Sequence, residues 1–316
     1  VEQAVTRRAT VVGAGLIGRA WAVVFARAGW RVALTDSDPS ALATQRRTID
    51  SMLADMATSG LIADAGATSA LITAVPDLAT ALADADLVQE NVPERLDVKL
   101  AVFAELDRLA PPRAILASSS SAIPASAFTA DLGGRARCLV AHPVNPPHVV
   151  PIVELCGAPW TDPAVIASAH ALYLGAGQSP IEVKRELPGF ILNRLQAAVL
   201  GEAFRLVEEG YVTTADLDLT MSHGLGLRWS FIGPFETMDL NAPAGIADYC
   251  GRYADTLLAL QRDMGAPRPW PPELVAKVTA ERRAALPADE LAQRQAWRDR
   301  RLMELALDRA RKANDA

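Results

Sequence analysis

Over the first two thirds of the chain, short β-branched apolar runs alternate with alanine-rich stretches of helical period. Residues 9–12, 31–35, 87–90, 114–118, 138–141 and 152–155 read as strands, and residues 17–28, 39–59 and 96–109 as helices. This alternation predicts an α/β fold with a doubly wound, mostly parallel sheet. The texture changes near Leu187-Pro188-Gly189, beyond which every segment has helical period and no strand run competes. A domain boundary is expected there, giving one domain over 1–187 and an all-helical C-terminal domain over 188–316. Residues 190–209 form a long helix that enters after Pro188 and stops at Gly210, and residues 289–313 form another. The glycines and proline of 224–234 predict a functional loop, which carries Arg228 and two large aromatic residues.

Length supports two domains, because 316 residues exceed what a single core usually organises. With 50% hydrophobic and 22% charged residues, 21 prolines and 20 glycines, the composition is that of a globular protein. The net charge is -6, and lysines and arginines are scattered rather than striped, which argues against a nucleic-acid partner and for a small metabolite. No apolar run reaches the length of a membrane span. The apolar stretch from Ala9 has glycines at turn spacing rather than a cleavage pattern, so a cytoplasmic protein is expected. Cys138, Cys156 and Cys250 suggest neither a disulfide framework nor a metal site, and read as buried small hydrophobes.

The segment Thr10-Val11-Val12-Gly13-Ala14-Gly15-Leu16-Ile17-Gly18 has the G-x-G-x-x-G spacing directly after a strand and at the mouth of a helix. Gly13 permits a tight turn, Gly15 lets the backbone approach a pyrophosphate, and Gly18 lets helix and strand pack closely. The phosphates would lie at the helix N-terminus with Leu16 and Ile17. Asp36 closes the next strand 18 residues after Gly18. A carboxylate there accepts hydrogen bonds from ribose hydroxyls and repels a 2′-phosphate, so the expected cofactor is NAD and the domain Rossmann-like.

A second informative stretch is His142-Pro143-Val144-Asn145-Pro146-Pro147-His148, with Glu154 following among apolar residues. Prolines stiffen a strand-terminal loop around His142 and Asn145, and Glu154 is expected to be buried and to need a partner. Oxidising a secondary alcohol requires a base for its hydroxyl proton, and histidine, with an ordinary pKa of about 6.5, suits that task. A carboxylate on the other ring nitrogen would fix the tautomer, and Glu154 is the candidate. Spacing alone leaves His142 open between this role and that of a packed histidine. His148, His170 and His223 read as structural or surface residues.

Together with Gln89-Glu90-Asn91-Val92-Pro93-Glu94, the serine run 118–121, Gly189-Phe190-Ile191-Leu192-Asn193-Arg194-Leu195, Leu206-Val207-Glu208-Glu209-Gly210 and Ile232-Gly233-Pro234-Phe235-Glu236-Thr237, these motifs resemble the 3-hydroxyacyl-CoA dehydrogenase superfamily. Within it, the resemblance is to the lambda-crystallin, or L-gulonate 3-dehydrogenase, branch. The resemblance implies His142 as general base or acid with Glu154 as its paired carboxylate, and Ser121 and Asn193 as contacts to the substrate and its reacting oxygen. It places Glu90, Arg95 and Asn145 near the nicotinamide end of the cofactor, although the family usually has a lysine where Arg95 stands.

In acyl-CoA members, the helical arm after the second strand and the segment before the paired glutamate carry lysines near the CoA. Here residues 48–94 contain no Lys or Arg and eight acidic residues, and Pro151 precedes the Glu154 segment. The resemblance therefore implies an enzyme that uses NAD to oxidise the 3-hydroxyl of a small-molecule hydroxy acid, with L-gulonate as leading substrate and Arg228 receiving its carboxylate. A 3-hydroxyacyl-CoA dehydrogenase, a carnitine 3-dehydrogenase and a non-catalytic NAD-binding structural protein are the alternatives. The intact set His142, Glu154, Ser121 and Asn193 argues against the last. A homodimer through the helical domain is expected, with the active site in the cleft between domains.

Overall fold

The computed structural model describes residues 6–314, so the outermost residues of both expected domains lie outside it. Among the described residues, eight strands form one sheet. They are β1 (Arg8–Val12), β2 (Arg31–Thr35), β3 (Ile72–Ala74), β4 (Leu87–Glu90), β5 (Ile115–Ser118), β6 (Cys138–Pro143), β7 (Ile152–Gly157) and β8 (Ser179–Glu182). Their order is β3-β2-β1-β4-β5-β6-β7-β8, and every neighbouring pair is parallel except β6 and β7. The loop 144–151 between these two is too short for a crossover helix, and an antiparallel return needs none. Strand order reverses between β1 and β4, which opens a crevice at the carboxyl ends of the strands.

The six expected strands are present. β3 and β8 are additional, and the reason each escapes sequence patterning is identifiable: β3 is only three residues long, and β8 carries Pro180, which is tolerated because that strand lies at an edge. Helices cover both faces. On one, Trp21 and Phe25 of the helix Leu16–Arg27 stack at 5.3 Å, and Tyr173 of Pro163–Gly175 lies 5.4 Å from Trp21. On the other, Phe103 of Leu96–Leu109 meets Phe128 at 4.6 Å. Phe25 and Phe103 are wholly buried, each contributing about 1.5–3 kcal/mol of apolar burial.

The chain divides into two compact units, one comprising residues up to 193 together with those from 295 onward, the other residues 194–294. The expected boundary after 187 lies close to the first division, but the tail does not group with the helices as expected. Met303 is 3% exposed and, with Leu302, packs into the core cluster of Trp21, Phe25 and Tyr173, so apolar burial assigns the tail to the first unit. The second unit is helical throughout its described secondary structure, including Thr214–Thr220, Pro234–Leu240, Ile246–Met264 and Pro272–Ala285.

The expected loop over 224–234 is narrower than its glycines suggest. A π-helical turn, Met221–Leu225, leads directly into the helix Gly226–Trp229, and the interruption covers only 230–233. Gly226 marks a close approach rather than a break, since a Cβ there would stand 2.8 Å from the Met221 carbonyl. Cys138 and Cys156 are buried, and burial pushes both thiols up to about 12. Cys250, expected to be buried, is exposed. Among the described residues, no helix is long and apolar enough to cross a membrane.

Candidate active site

The glycine motif forms the turn from β1 into the helix Leu16–Arg27. Gly13 has φ +88°, and its N–H donates to Thr35 O at 2.8 Å; a Cβ there would stand 2.9 Å from Asn91 O. At Gly18 a Cβ would lie 1.8 Å from Gly13 O, so the helix approaches the turn as only glycine allows. At Gly15 a Cβ would meet nothing within 4 Å, and no side chain caps the helix. Open space before an uncapped helix N-terminus is the environment a pyrophosphate needs. Asp36 accepts from Ala14 N at 2.7 Å through one oxygen and from Asp38 N at 2.9 Å through the other. It lines a cavity of about 690 Å³ with Gly13, Gly15, Val98 and Val102. An acidic rim beside apolar walls fits a ribose and a planar base, so the residues present fit a dinucleotide.

His142 and Glu154 face each other across the antiparallel pair β6–β7. Nδ1 of His142 lies 2.8 Å from Glu154 Oε2, while Oε1 accepts from Ile191 N at 2.9 Å and Leu192 N at 3.0 Å. Those N–H groups stand at the start of the helix Leu192–Glu208, where donors lack helical partners and a carboxylate is favoured. Burial alone would raise the Glu154 pKa, but the hydrogen bonds from His142, Leu192 and Ile191 outweigh it and hold the group below the ordinary carboxylate range. Glu154 is thus an ionised acceptor, His142 Nδ1 carries a proton, and Nε2 remains the basic nitrogen. Gly189 and Phe190 bring the helix to Glu154 with φ of 75° and 46°. For Phe190 that conformation costs about 1–3 kcal/mol, held in place by complete burial of a ring whose centroid lies 5.7 Å from that of His142.

The four serines after β5 divide by what their hydroxyls touch. Ser118 Oγ donates to Glu90 at 2.5 Å, Ser119 Oγ to Asn91 at 2.7 Å and Ser120 Oγ to Glu94 at 2.6 Å. Among the described residues, the Ser121 hydroxyl alone of the four makes no such bond, while the Ser121 carbonyl accepts from Asn193 Nδ2 at 2.9 Å. Ser121 and Asn193 are therefore brought together, and the run ends in one uncommitted hydroxyl. Asn145 is exposed on the loop after β6. His148 is 4% exposed, with burial pushing its pKa down to about 4, whereas His170 and His223 are exposed.

Comparison with known proteins supplies the lineage. Residues 8–186 match the model of the 3-hydroxyacyl-CoA dehydrogenase NAD binding domain, and residues 189–286 match that family's C-terminal domain. The chain belongs to the 3-hydroxyacyl-CoA dehydrogenase family. It is 43% identical over 303 residues to lambda-crystallin of Oryctolagus cuniculus, covering 94% of each chain, which places it in that branch. It is 36% identical over 300 residues to an L-carnitine dehydrogenase of Streptomyces coelicolor, covering 95% of this chain and 93% of the other. A solved FHMPC 5-dehydrogenase, described as an NAD+-dependent dismutase, superposes with a TM-score of 0.81 at 28% identity over 96% of this chain and 97% of its own. The protein is an NAD-dependent dehydrogenase acting on a CH–OH group.

Two cofactor contacts expected of this dehydrogenase are placed differently by its packing. Glu90 is wholly buried and committed to Lys99 Nζ at 3.0 Å, to Ser118 and to Val92 N at 2.6 Å, so its side chain is a support beneath the site rather than a surface of it. Arg95 turns outward to Asp97 at 2.5 Å with 68% of its side chain exposed. Arg228 is exposed on the helix Gly226–Trp229 of the second unit, without an ion-pair partner among the described residues. Sequence reasoning missed Lys99 and Glu94. A signal for Lys99 existed: it shares a helical stripe with buried Phe103 and Leu106, and a lysine there requires a buried acid.

Proposed function

We propose that this dehydrogenase oxidises the 3-hydroxyl of a free hydroxy acid, with L-gulonate to 3-dehydro-L-gulonate as the leading case. The observation that carries the reading is the buried His142–Glu154 pair at the carboxyl edge of the sheet, where Ser121 follows β5 and is held by Asn193. Bound NAD supplies the acceptor for the hydride leaving C3. Ser121 and Asn193 orient the hydroxyl, His142 Nε2 takes its proton as the C–O bond becomes a carbonyl, and Glu154 stabilises the resulting imidazolium. The Gly13–Gly18 turn and Asp36 hold the cofactor, with Asn145 toward its nicotinamide end. In this reading the first unit binds NAD and the second contributes substrate contacts and dimerisation.

A free acid is supported by the cation-free stretch 48–94, by Pro151, and by the relative named for L-carnitine, itself a 3-hydroxy acid without CoA. Arg228 receives the substrate carboxylate. One observation favours the second reading, a 3-hydroxyacyl-CoA dehydrogenase. Leu61, Asp64, Thr68 and Pro151 line a cavity of about 990 Å³ that also holds Arg27, a cation a CoA phosphate could use. NADH formation at 340 nm, with L-gulonate, L-carnitine and 3-hydroxybutyryl-CoA at matched concentrations, decides between them. Turnover of a free acid is expected, and Arg228→Met should raise its KM at least about ten-fold, the worth of one charge-assisted contact. Turnover of the thioester alone overturns the free-acid reading, and an unchanged KM removes Arg228 from it.

The second unit supports a homodimer. Leu227, Phe231, Phe235 and Leu240 are 59%, 76%, 73% and 68% exposed, apolar side chains that a second copy of the chain would cover. Sedimentation velocity at micromolar concentration should show twice the chain mass, and Phe231→Glu with Phe235→Glu should shift it toward the single chain. A monomeric wild type ends this part of the reading.

A further inference from the structure

We propose that Phe190 is a positioning residue for the His142–Glu154 pair, acting through a left-handed backbone that aims two N–H groups at the carboxylate. The inference rests on the reading of His142 as the proton acceptor. Among the described residues, Phe190 is the one non-glycine residue with positive φ, at 46°. A bulky side chain is an outlier in that region, and such outliers persist only where the surroundings over-determine them. Glycine would adopt the same backbone freely. What phenylalanine adds is an anchor: its ring is wholly buried in the cluster of Val140, Cys156 and Val183, with its centroid 5.7 Å from that of His142.

The residues before Phe190 turn the chain into this conformation. Pro188 and Gly189 occupy the centre of a turn closed by Phe190 N–H donating to Leu187 O at 3.2 Å, and Gly189 has the positive φ, 75°, that a type II turn needs there. The helix Leu192–Glu208 follows almost at once. A left-handed residue set against a right-handed turn makes successive N–H groups converge into a nest, which ordinarily receives an anion. Here Ile191 and Leu192 donate at 2.9 Å and 3.0 Å to one oxygen of Glu154, whose other oxygen lies 2.8 Å from His142 Nδ1. Phe190 therefore acts on the pair twice, through its ring beside the imidazole and through the two N–H groups that follow it. With a negative φ at 190 those donors would diverge, Glu154 would lose its fixed orientation, and Nε2 would shift relative to the substrate hydroxyl. Phe190 has no group that transfers a proton, and its effect passes through Glu154 and His142. A displacement of about 1 Å in a reacting contact can cost about 10²-fold in rate.

The test compares Phe190→Leu with Phe190→Ile, isomeric apolar side chains that differ only in branching. A β-branched residue resists positive φ more than leucine does. NADH formation is measured with whichever of L-gulonate, L-carnitine and 3-hydroxybutyryl-CoA the wild type turns over. The kcat of Phe190→Ile should lie at least about ten-fold below that of Phe190→Leu, with KM for NAD within about two-fold of wild type in both. Equal kcat values at any level, or a loss accompanied by a larger rise in KM for NAD, overturn the proposal, because burial or general damage then accounts for the effect. In a His142→Gln background, Phe190→Ile should lower the residual rate no more than about three-fold, since residues acting as a unit are not additive. Losses that multiply overturn the proposal as well. All these outcomes leave His142 as the proton acceptor, whereas a His142→Gln enzyme at wild-type rate removes that reading and the proposal with it. If either Phe190 variant does not fold, Gly189→Ala opposes the same turn with one methyl group. Its kcat should fall at least about three-fold with KM for NAD within about two-fold, and a wild-type kcat overturns the proposal.

Discussion

Replacing His142 with glutamine lowers kcat by about 10²–10⁴-fold, the usual worth of a positioned proton acceptor, while KM for NAD stays within about two-fold. The glutamine amide can still donate to Glu154 Oε2, so the carboxylate keeps a partner beside the N–H groups of Ile191 and Leu192. What disappears is the basic Nε2. The cofactor turn lies on β1 and the helix after it, three strands from β6 in the sheet, which is why NAD affinity should survive. Turnover is read at 340 nm and cofactor binding by fluorescence titration. Loss of both together would show that His142 is a structural prop and that catalysis and cofactor binding are not separable as proposed.

Adding one methyl group at Gly18 should be nearly as damaging, by the opposite route. The Cβ of Gly18→Ala would stand 1.8 Å from the Gly13 carbonyl oxygen, a contact with backbone that no side-chain rotation relieves. Either the helix Leu16–Arg27 moves away from β1, exposing the packing around Trp21 and Phe25, or the turn opens and Gly15 no longer faces the pyrophosphate. A shift of about 1 Å at such a contact costs about 10²-fold, so kcat/KM for NAD should fall by that order while the His142–Glu154 pair is untouched. Gly15→Ala is the control: its Cβ meets no protein atom within 4 Å, so any loss there reports on the ligand rather than on the fold. Wild-type kcat/KM for NAD in Gly18→Ala would mean the close approach is not needed.

Much of this site is legible in the sequence because its components are local. The turn at Gly13, the strand end at Asp36 and the rigid stretch around His142 each depend on residues a few positions apart, and periodicity places all three at strand ends. The pairing of His142 with Glu154 is also legible, since a glutamate among Pro151, Ile152, Val153 and Leu155 demands a partner, and the antiparallel register β6–β7 supplies it. The tail reads as a helix from its period, but its membership of the first unit does not follow from that period. Amphipathicity shows that one face must be covered, and the core around Met303 and Leu302 decides by what.

The sequence by itself determined the mostly parallel sheet and the dinucleotide turn, because steric limits on glycine and proline and side-chain periodicity act over short stretches of chain. Only the tertiary structure decided which serine of four is uncommitted, and that Glu90 is buried against Lys99 while Arg95 faces water. Each of these is settled by hydrogen bonds or ion pairs that compete across folded segments. A donor's partner is fixed only when packing has excluded water and every other acceptor within reach.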